Sequence, residues 1–116
     1  MKDRYLFKAK RLDNGEWVEW DAIAGIPENV SILTDTICQC TGLKDENDKL
    51  IWENDIIRCK VGTAKVIWDK SEWRIEWLKN DLWRKDLYYW AVEDIQRTVV
   101  IGNIFDNKEL LESEEK

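Results

Sequence analysis

The sequence predicts a mostly β chain: an N-terminal hairpin region, then a small antiparallel barrel, then a short C-terminal helix. Three observations carry that expectation. Apolar and polar residues alternate over short runs, as where Trp73, Ile75 and Trp77 share one face and Arg74 and Glu76 the other, the period of a half-buried strand. Turn-forming clusters such as Asn14-Gly15, Gly25–Asn29, Asp69–Glu72 and Lys79–Asp81 break the runs at short, regular spacing. The 116 residues are 44% hydrophobic and include eight Trp, enough bulk for the core of one small domain.

Taken in order, Arg4–Arg11 alternates as a strand, and Asp13-Asn14-Gly15 supplies the positive φ angles of a tight hairpin turn. Glu16–Ala24 is the return strand. Trp17 and Trp20 are three residues apart, so a regular strand sends them to opposite faces. Gly25–Asn29, with the single Pro, ends the hairpin. Val30–Leu33 and Asp35–Thr41 are short strands, and Lys44–Lys49 is a polar turn. Ile56–Val61, Thr63–Trp68, Trp73–Leu78 and Leu82–Trp90 follow as strands. Ala91–Ile95 reads as one helical turn, Gln96–Ile101 as the last strand, and Lys108–Glu114 as the short helix. About five strands between Thr36 and Phe105 match the size of an SH3-like barrel. The divisions are therefore a hairpin region over residues 1–35, a barrel over 36–106 and an acidic tail over 107–116.

Charge narrows the partners. The formal net charge is −6. Met1–Arg11 carries +4 from Lys2, Arg4, Lys8, Lys10 and Arg11 against Asp3, whereas Leu12–Thr36 carries −6 with no basic residue and Asp106–Lys116 carries −3. An acidic total disfavours duplex binding, which needs many phosphate-neutralising cations. The basic first strand is instead suited to an acidic surface of the same chain or of another copy. MKDRYLFKAK has no apolar signal core and no run is long enough to span a bilayer, so the cytoplasm is the expected compartment.

Catalytic groups are scarce. The chain has no His, which removes Ser-His and Cys-His pairs. Its five Gly are scattered, with no phosphate-cradling loop. Cys38 and Cys40 point the same way on a strand and are poorly placed for a disulfide; together with Cys59 they lack a fourth zinc ligand. Buried free thiols are the plainer account. No catalytic residue, cofactor or metal is expected.

Two stretches carry a family signal. Gln39–Ile57, QCTGLKDENDKLIWENDII, runs from a strand end through Thr41-Gly42-Leu43 and Asp45 to Glu53-Asn54-Asp55. Near the C-terminus, Val100–Asn107 reads VIGNIFDN, followed by Glu109-Leu110-Leu111. With Leu6–Ala9 these resemble the YopX family of phage and prophage proteins. The resemblance implies an irregular β region before an SH3-type barrel, and brings no established biochemical activity. This chain has Asn54 where the family has Gly, Trp52 where Tyr is usual, and Lys108 where Pro is common.

Each motif residue has a structural role to offer. Gly42 allows backbone angles a side chain forbids, Leu43 plugs the barrel mouth, and Asp45 and Asn47 bond nearby amides. Asn54 tolerates the left-handed region nearly as well as Gly. Glu53 and Asp55 form an acid pair whose plainer reading is turn capping. Gly102 allows close approach and Asn103 bridges chain segments.

The surplus indoles are the best functional candidates. Trp68, Trp73, Trp77, Trp83 and Trp90 are interleaved with Arg74, Lys79, Arg84 and Lys85, while Glu72, Glu76, Asp81 and Asp86 cancel those cations. Core packing accounts for most of them. Trp73, Trp83 and Tyr89, at turns and an edge, are the members expected outside, with Arg74 and Arg84 beside them. The leading expectation is a non-enzymatic module that binds a protein or its own copies. Single-strand binding through Arg74–Trp90 is the alternative, and an acidic DNA mimic ranks lowest.

Overall fold

A computed structural model of the chain describes residues 5–59, 62–78, 85–93 and 98–113. These residues form two antiparallel four-stranded sheets and a short C-terminal α-helix. The first sheet has the order β2-β1-β3-β4, built from β1 (Leu6–Lys10), β2 (Trp17–Asp21), β3 (Cys38–Lys44) and β4 (Leu50–Trp52). The second has the order β7-β6-β5-β8, built from β5 (Asp55–Cys59), β6 (Gly62–Asp69), β7 (Glu72–Trp77) and β8 (Val99–Asn103). Helix α1 spans Lys108–Ser113. Among the described residues no strand pairing closes either sheet into a barrel.

Local chemistry explains most of the elements. Gly15 takes φ 74° in the first hairpin, and Arg11 N–H donates to the Glu16 carbonyl at 2.8 Å to close it. Trp17 and Trp20 do face opposite ways. Trp20 stacks on its cross-strand partner Phe7 at 6.2 Å, while Trp17 meets Phe105 of the C-terminal segment at 6.0 Å. Gly42, at φ 83°, lies within the register shift between Cys40 and Lys44, so it serves a bulge in β3. Asn54 takes φ 72° at the bend from β4 to β5, the left-handed conformation expected of it.

That bend moves the chain from one sheet to the other within three residues. Its carbonyl and amide join both neighbours: Asn54 N–H donates to Val66 at 2.8 Å, and Ile104 N–H donates to Asn54 at 3.0 Å. The cores follow the same division. Ile57, Ala64, Val66, Ile75, Trp77, Leu87, Trp90 and Val100 fill one face of the second sheet, joined by Ile51 and Leu43 from the first. A smaller cluster of Cys38, Cys40 and Trp52 sits under Leu6, Trp17 and Phe105. All three cysteines are buried free thiols.

Three sequence expectations are corrected. Leu50–Trp52, given no element by the sequence pattern, pairs with β3 as a strand. Val30–Leu33 makes only one bridge, Arg11 to Ile32. Leu82–Trp90 is not one strand: its described part is a bridge at Asp86 followed by helical backbone, with a π-helical turn at Tyr89–Glu93. Leu87 and Trp90 are three apart and both buried, which a helical turn achieves and a strand does not.

Candidate functional site

The family-motif residues form the frame of the molecule. The Asp45 carboxyl accepts backbone N–H bonds from Asn47, Lys49 and Val100, each at 2.9 Å. One side chain thereby holds its own turn and ties it to β8. Thr41 donates its hydroxyl to the Ile51 carbonyl at 2.7 Å and accepts from Leu43 N–H at 3.1 Å. Glu53 accepts from Gln39 N–H at 3.2 Å, and Asp55 accepts from Trp52 N–H at 2.8 Å. The two acids thus hold different segments of backbone.

The C-terminal motif is a clamp between the sheets. The Asn103 side chain accepts from Phe105 and Asp106 N–H, both at 2.9 Å, and donates to Asp106. This presents Asp106 to β1 and β2, where it pairs with Lys10 and accepts from Trp17 Nε1 at 2.8 Å. The Lys10 ammonium, with help from Trp17 and Asn103, holds the Asp106 carboxyl down at about 2. Gly102 is required there: a Cβ would fall 2.5 Å from Asn107 Oδ1, the atom that accepts Asn103 N–H. Nearby, the Lys8 ammonium lies 4.6 Å from Trp17 and 4.7 Å from Trp52. The basic first strand therefore meets an acid of its own chain.

Asp55 lines a hollow of about 460 Å³ with Lys8, Lys49, Trp52 and Asn103. It is 4% exposed, and burial pushes its carboxyl up to about 6. Burial likewise pushes the Cys38 thiol up to about 11, so that sulfur is unreactive near neutrality. Among the described residues no three Cys, Asp or Glu side chains are grouped to hold a metal ion.

A second junction between the sheets is open. A groove of about 600 Å³ runs between Tyr5, Gln39, Thr41 and Leu43 of the first sheet's side and Trp68, Ser71, Glu72, Trp73, Asp86 and Tyr88 of the second's. Its volume is that of a ligand-binding cleft. Tyr5, Trp68 and Tyr88 are 48%, 54% and 52% exposed. Trp68 stands edge-on to its cross-strand partner Trp73, with centroids 4.9 Å apart. The bend below them, Lys70-Ser71, has φ 54° and 64° at two residues that carry side chains, the turn geometry normally given to Asn-Gly.

The aromatic residues predicted to lie outside are redistributed. Trp73 and Tyr89 are half-buried against the core of the second sheet, and Trp83 and Arg84 lie outside the described residues. Trp68 and Tyr88 are exposed in their place. Arg74 is not a bare cation, since it bonds Glu72 at 2.6 Å and approaches Asp69 at 4.0 Å. Nothing in the alternation marked Tyr5 or Tyr88. The signal for Trp68 was its place one residue before a tight turn.

Among the described residues no helix is long and apolar enough to cross a membrane. The sequence profile of the family described as YopX protein matches residues 3–112. Comparison with curated proteins gives no match.

Proposed function

The chain belongs to the YopX family, and on that premise we propose that it is a non-enzymatic binding module of a phage or prophage. Its working face is the groove between the sheets, which receives an extended segment of a partner protein in the bacterial cytoplasm. One observation carries this reading: Tyr5, Trp68 and Tyr88 leave the core half-exposed and gather on one concave surface. Exposed aromatics scattered singly are ordinary, but a set converging on a groove is what a recognition site needs. The polar groups of Gln39 and Ser71 between the rings suit the backbone of an extended chain.

In this reading β3–β8 act as one SH3-like unit. Support comes from Leu43 and Ile51, which leave the first sheet to pack into the cluster of the second. The groove's described lining includes acids and no Lys or Arg, which favours a peptide over a nucleic-acid strand.

Selection of a displayed random-peptide library on the folded protein tests the proposal. Recovered peptides should quench or shift Trp fluorescence, and Trp68→Ala should weaken them about tenfold or more while the far-ultraviolet spectrum stays unchanged. Peptides that bind equally well to Trp68→Ala and Tyr88→Ala would move the site elsewhere. Occupancy by a second copy would register instead as a concentration-dependent mass in solution that Trp68→Ala abolishes.

A further inference from the structure

We propose that the hollow beside Asp55 is a second binding site, taking a small neutral ring whose edge presents an N–H between two carbonyls, as uracil and thymine do. The proposal stands apart from the groove, because the two share no described lining residue.

Three observations converge. The first is one oxygen atom. Asp55 is 4% exposed and lines the hollow. Its Oδ2 accepts Trp52 N–H at 2.8 Å, whereas no hydrogen bond or ion pair among the described residues reaches Oδ1. A buried carboxylate oxygen without a donor is costly, and a ligand N–H supplies one.

The second is a pair of donors. Lys8 on β1 and Lys49 just before β4 line the same hollow, and both charges act on the Asp55 carboxyl without bonding it. The Lys8 ammonium is held over the Trp17 and Trp52 rings at 4.6 Å and 4.7 Å. Among the described residues no oxygen takes up its three N–H groups. The hollow thus offers two ammonium donors and one carboxylate acceptor. An imide edge has two acceptors and one donor, the complement of that set.

The third is the sign of the lining. Glu19 and Asp48 also line the hollow and offset the two ammonium groups. An anion therefore gains little there, and a cation meets Lys8 and Lys49. Leu50, Trp52 and Val100 add apolar wall, and about 460 Å³ suits a small molecule.

Titration with thymidine, followed by Trp fluorescence and calorimetry near neutral pH, tests the proposal. Saturable binding at millimolar concentration or below is expected. The thymidine analogue methylated on its ring N–H, and cytidine, should each bind about tenfold or more weakly. Asp55→Asn keeps an acceptor for Trp52 N–H and puts a donor in place of the acceptor. It should reverse the preference from thymidine to cytidine, which a mere loss of stability cannot do. Lys49→Met, at the exposed rim, should weaken thymidine about three- to fivefold and leave the melting temperature unchanged. Burial holds the Asp55 carboxyl up at about 6 against the pull of Trp52 N–H, Lys8 and Lys49, with Asp45 adding to the rise. Affinity should therefore fall as pH drops through about 6, where the acceptor takes up a proton. No saturable binding of thymidine, equal binding of the methylated analogue, or an unchanged preference in Asp55→Asn would each overturn the proposal. Loss of thymidine binding in Trp68→Ala would place the nucleoside in the groove and overturn it as well.

Discussion

The two junctions between the sheets are made of the same materials to opposite ends. At one, Trp17, Phe105, Lys10, Asp106 and Asn103 close on one another, and each polar group has a partner within the chain. At the other, Tyr5, Trp68 and Tyr88 stand over a groove with acids along its wall. Aromatics and charges are therefore no guide to recognition by themselves. What separates the junctions is how their side chains are engaged. The C-terminal motif partners the polar groups of the first beside a hollow of about 460 Å³, whereas three half-exposed rings stand over the groove of about 600 Å³ at the second.

The largest way to break that contrast is to remove the frame. Asp45→Ala strands the N–H groups of Asn47, Lys49 and Val100. Leaving several such donors without an acceptor should cost roughly 3–4 kcal/mol, read as a drop in the urea midpoint. A loss below about 1 kcal/mol would mean that water replaces the carboxyl freely and that the motif is not the frame.

The closed junction can also be read by pH. Burial raises the Asp55 carboxyl from 3.8 to about 6, so between those values the folded state holds a proton that the unfolded state has lost. Stability should therefore be fully present below pH 4, decline as pH rises through about 6, and level off above it. The full swing is about 2–3 kcal/mol. Asp55→Asn keeps an acceptor for Trp52 N–H and should abolish the slope. Asp106 acts in the opposite sense and in a lower window, because Lys10 depresses it to about 2: its contribution is present above pH 3.8 and fades as pH falls toward 2. A wild-type profile flat from pH 4 to 7 would contradict the assignment for Asp55.

The finest comparison sets one indole against another. Trp17→Ala removes a ring that packs on Phe105 and donates to Asp106, and should lower stability by about 2 kcal/mol. Trp68→Ala removes a ring with 54% of its surface in water, and should cost about 0.5–1 kcal/mol, mainly its contact with Trp73. Thermal melts of the two variants would show the difference. Equal losses would mean that the groove is as much a part of the core as the clamp.

How much of this could be read from the sequence differs between the same two regions. The frame was legible as far as its turn chemistry is local: Gly42, Asn54 and Asn103 shape their own bends and Asp45 bonds Asn47 and Lys49, whereas the bond from Val100 to Asp45, 55 residues away, left no local sign. Strand Leu50–Trp52 was missed because it is only three residues long and pairs across a bulge, which leaves no run of alternation to see. The groove was harder. Period-2 patterning tells which residues share a face but not which face is covered, so Trp73 was expected outside and Trp68 was not singled out. Tyr88 and Tyr89 exchanged roles for a different reason. Helical backbone there turns Leu87 and Trp90 inward together, and the phase of a strand no longer applies. That Asp106 would meet Lys10, 96 residues away in sequence, is a matter of topology that no local pattern encodes.

The bend at Lys70-Ser71 has a consequence for how the groove behaves. Two side-chain-bearing residues in left-handed backbone have no preference of their own for that shape; the paired strands behind them impose it. The chain had the easier solution within its vocabulary, for it places Asn-Gly at its first hairpin. The rim of the cleft is thus sprung like a bow by β6 and β7. Ser71 lines the groove together with Trp68 and Trp73, so putting Asn-Gly in place of Lys70-Ser71 should ease this rim without removing a ring.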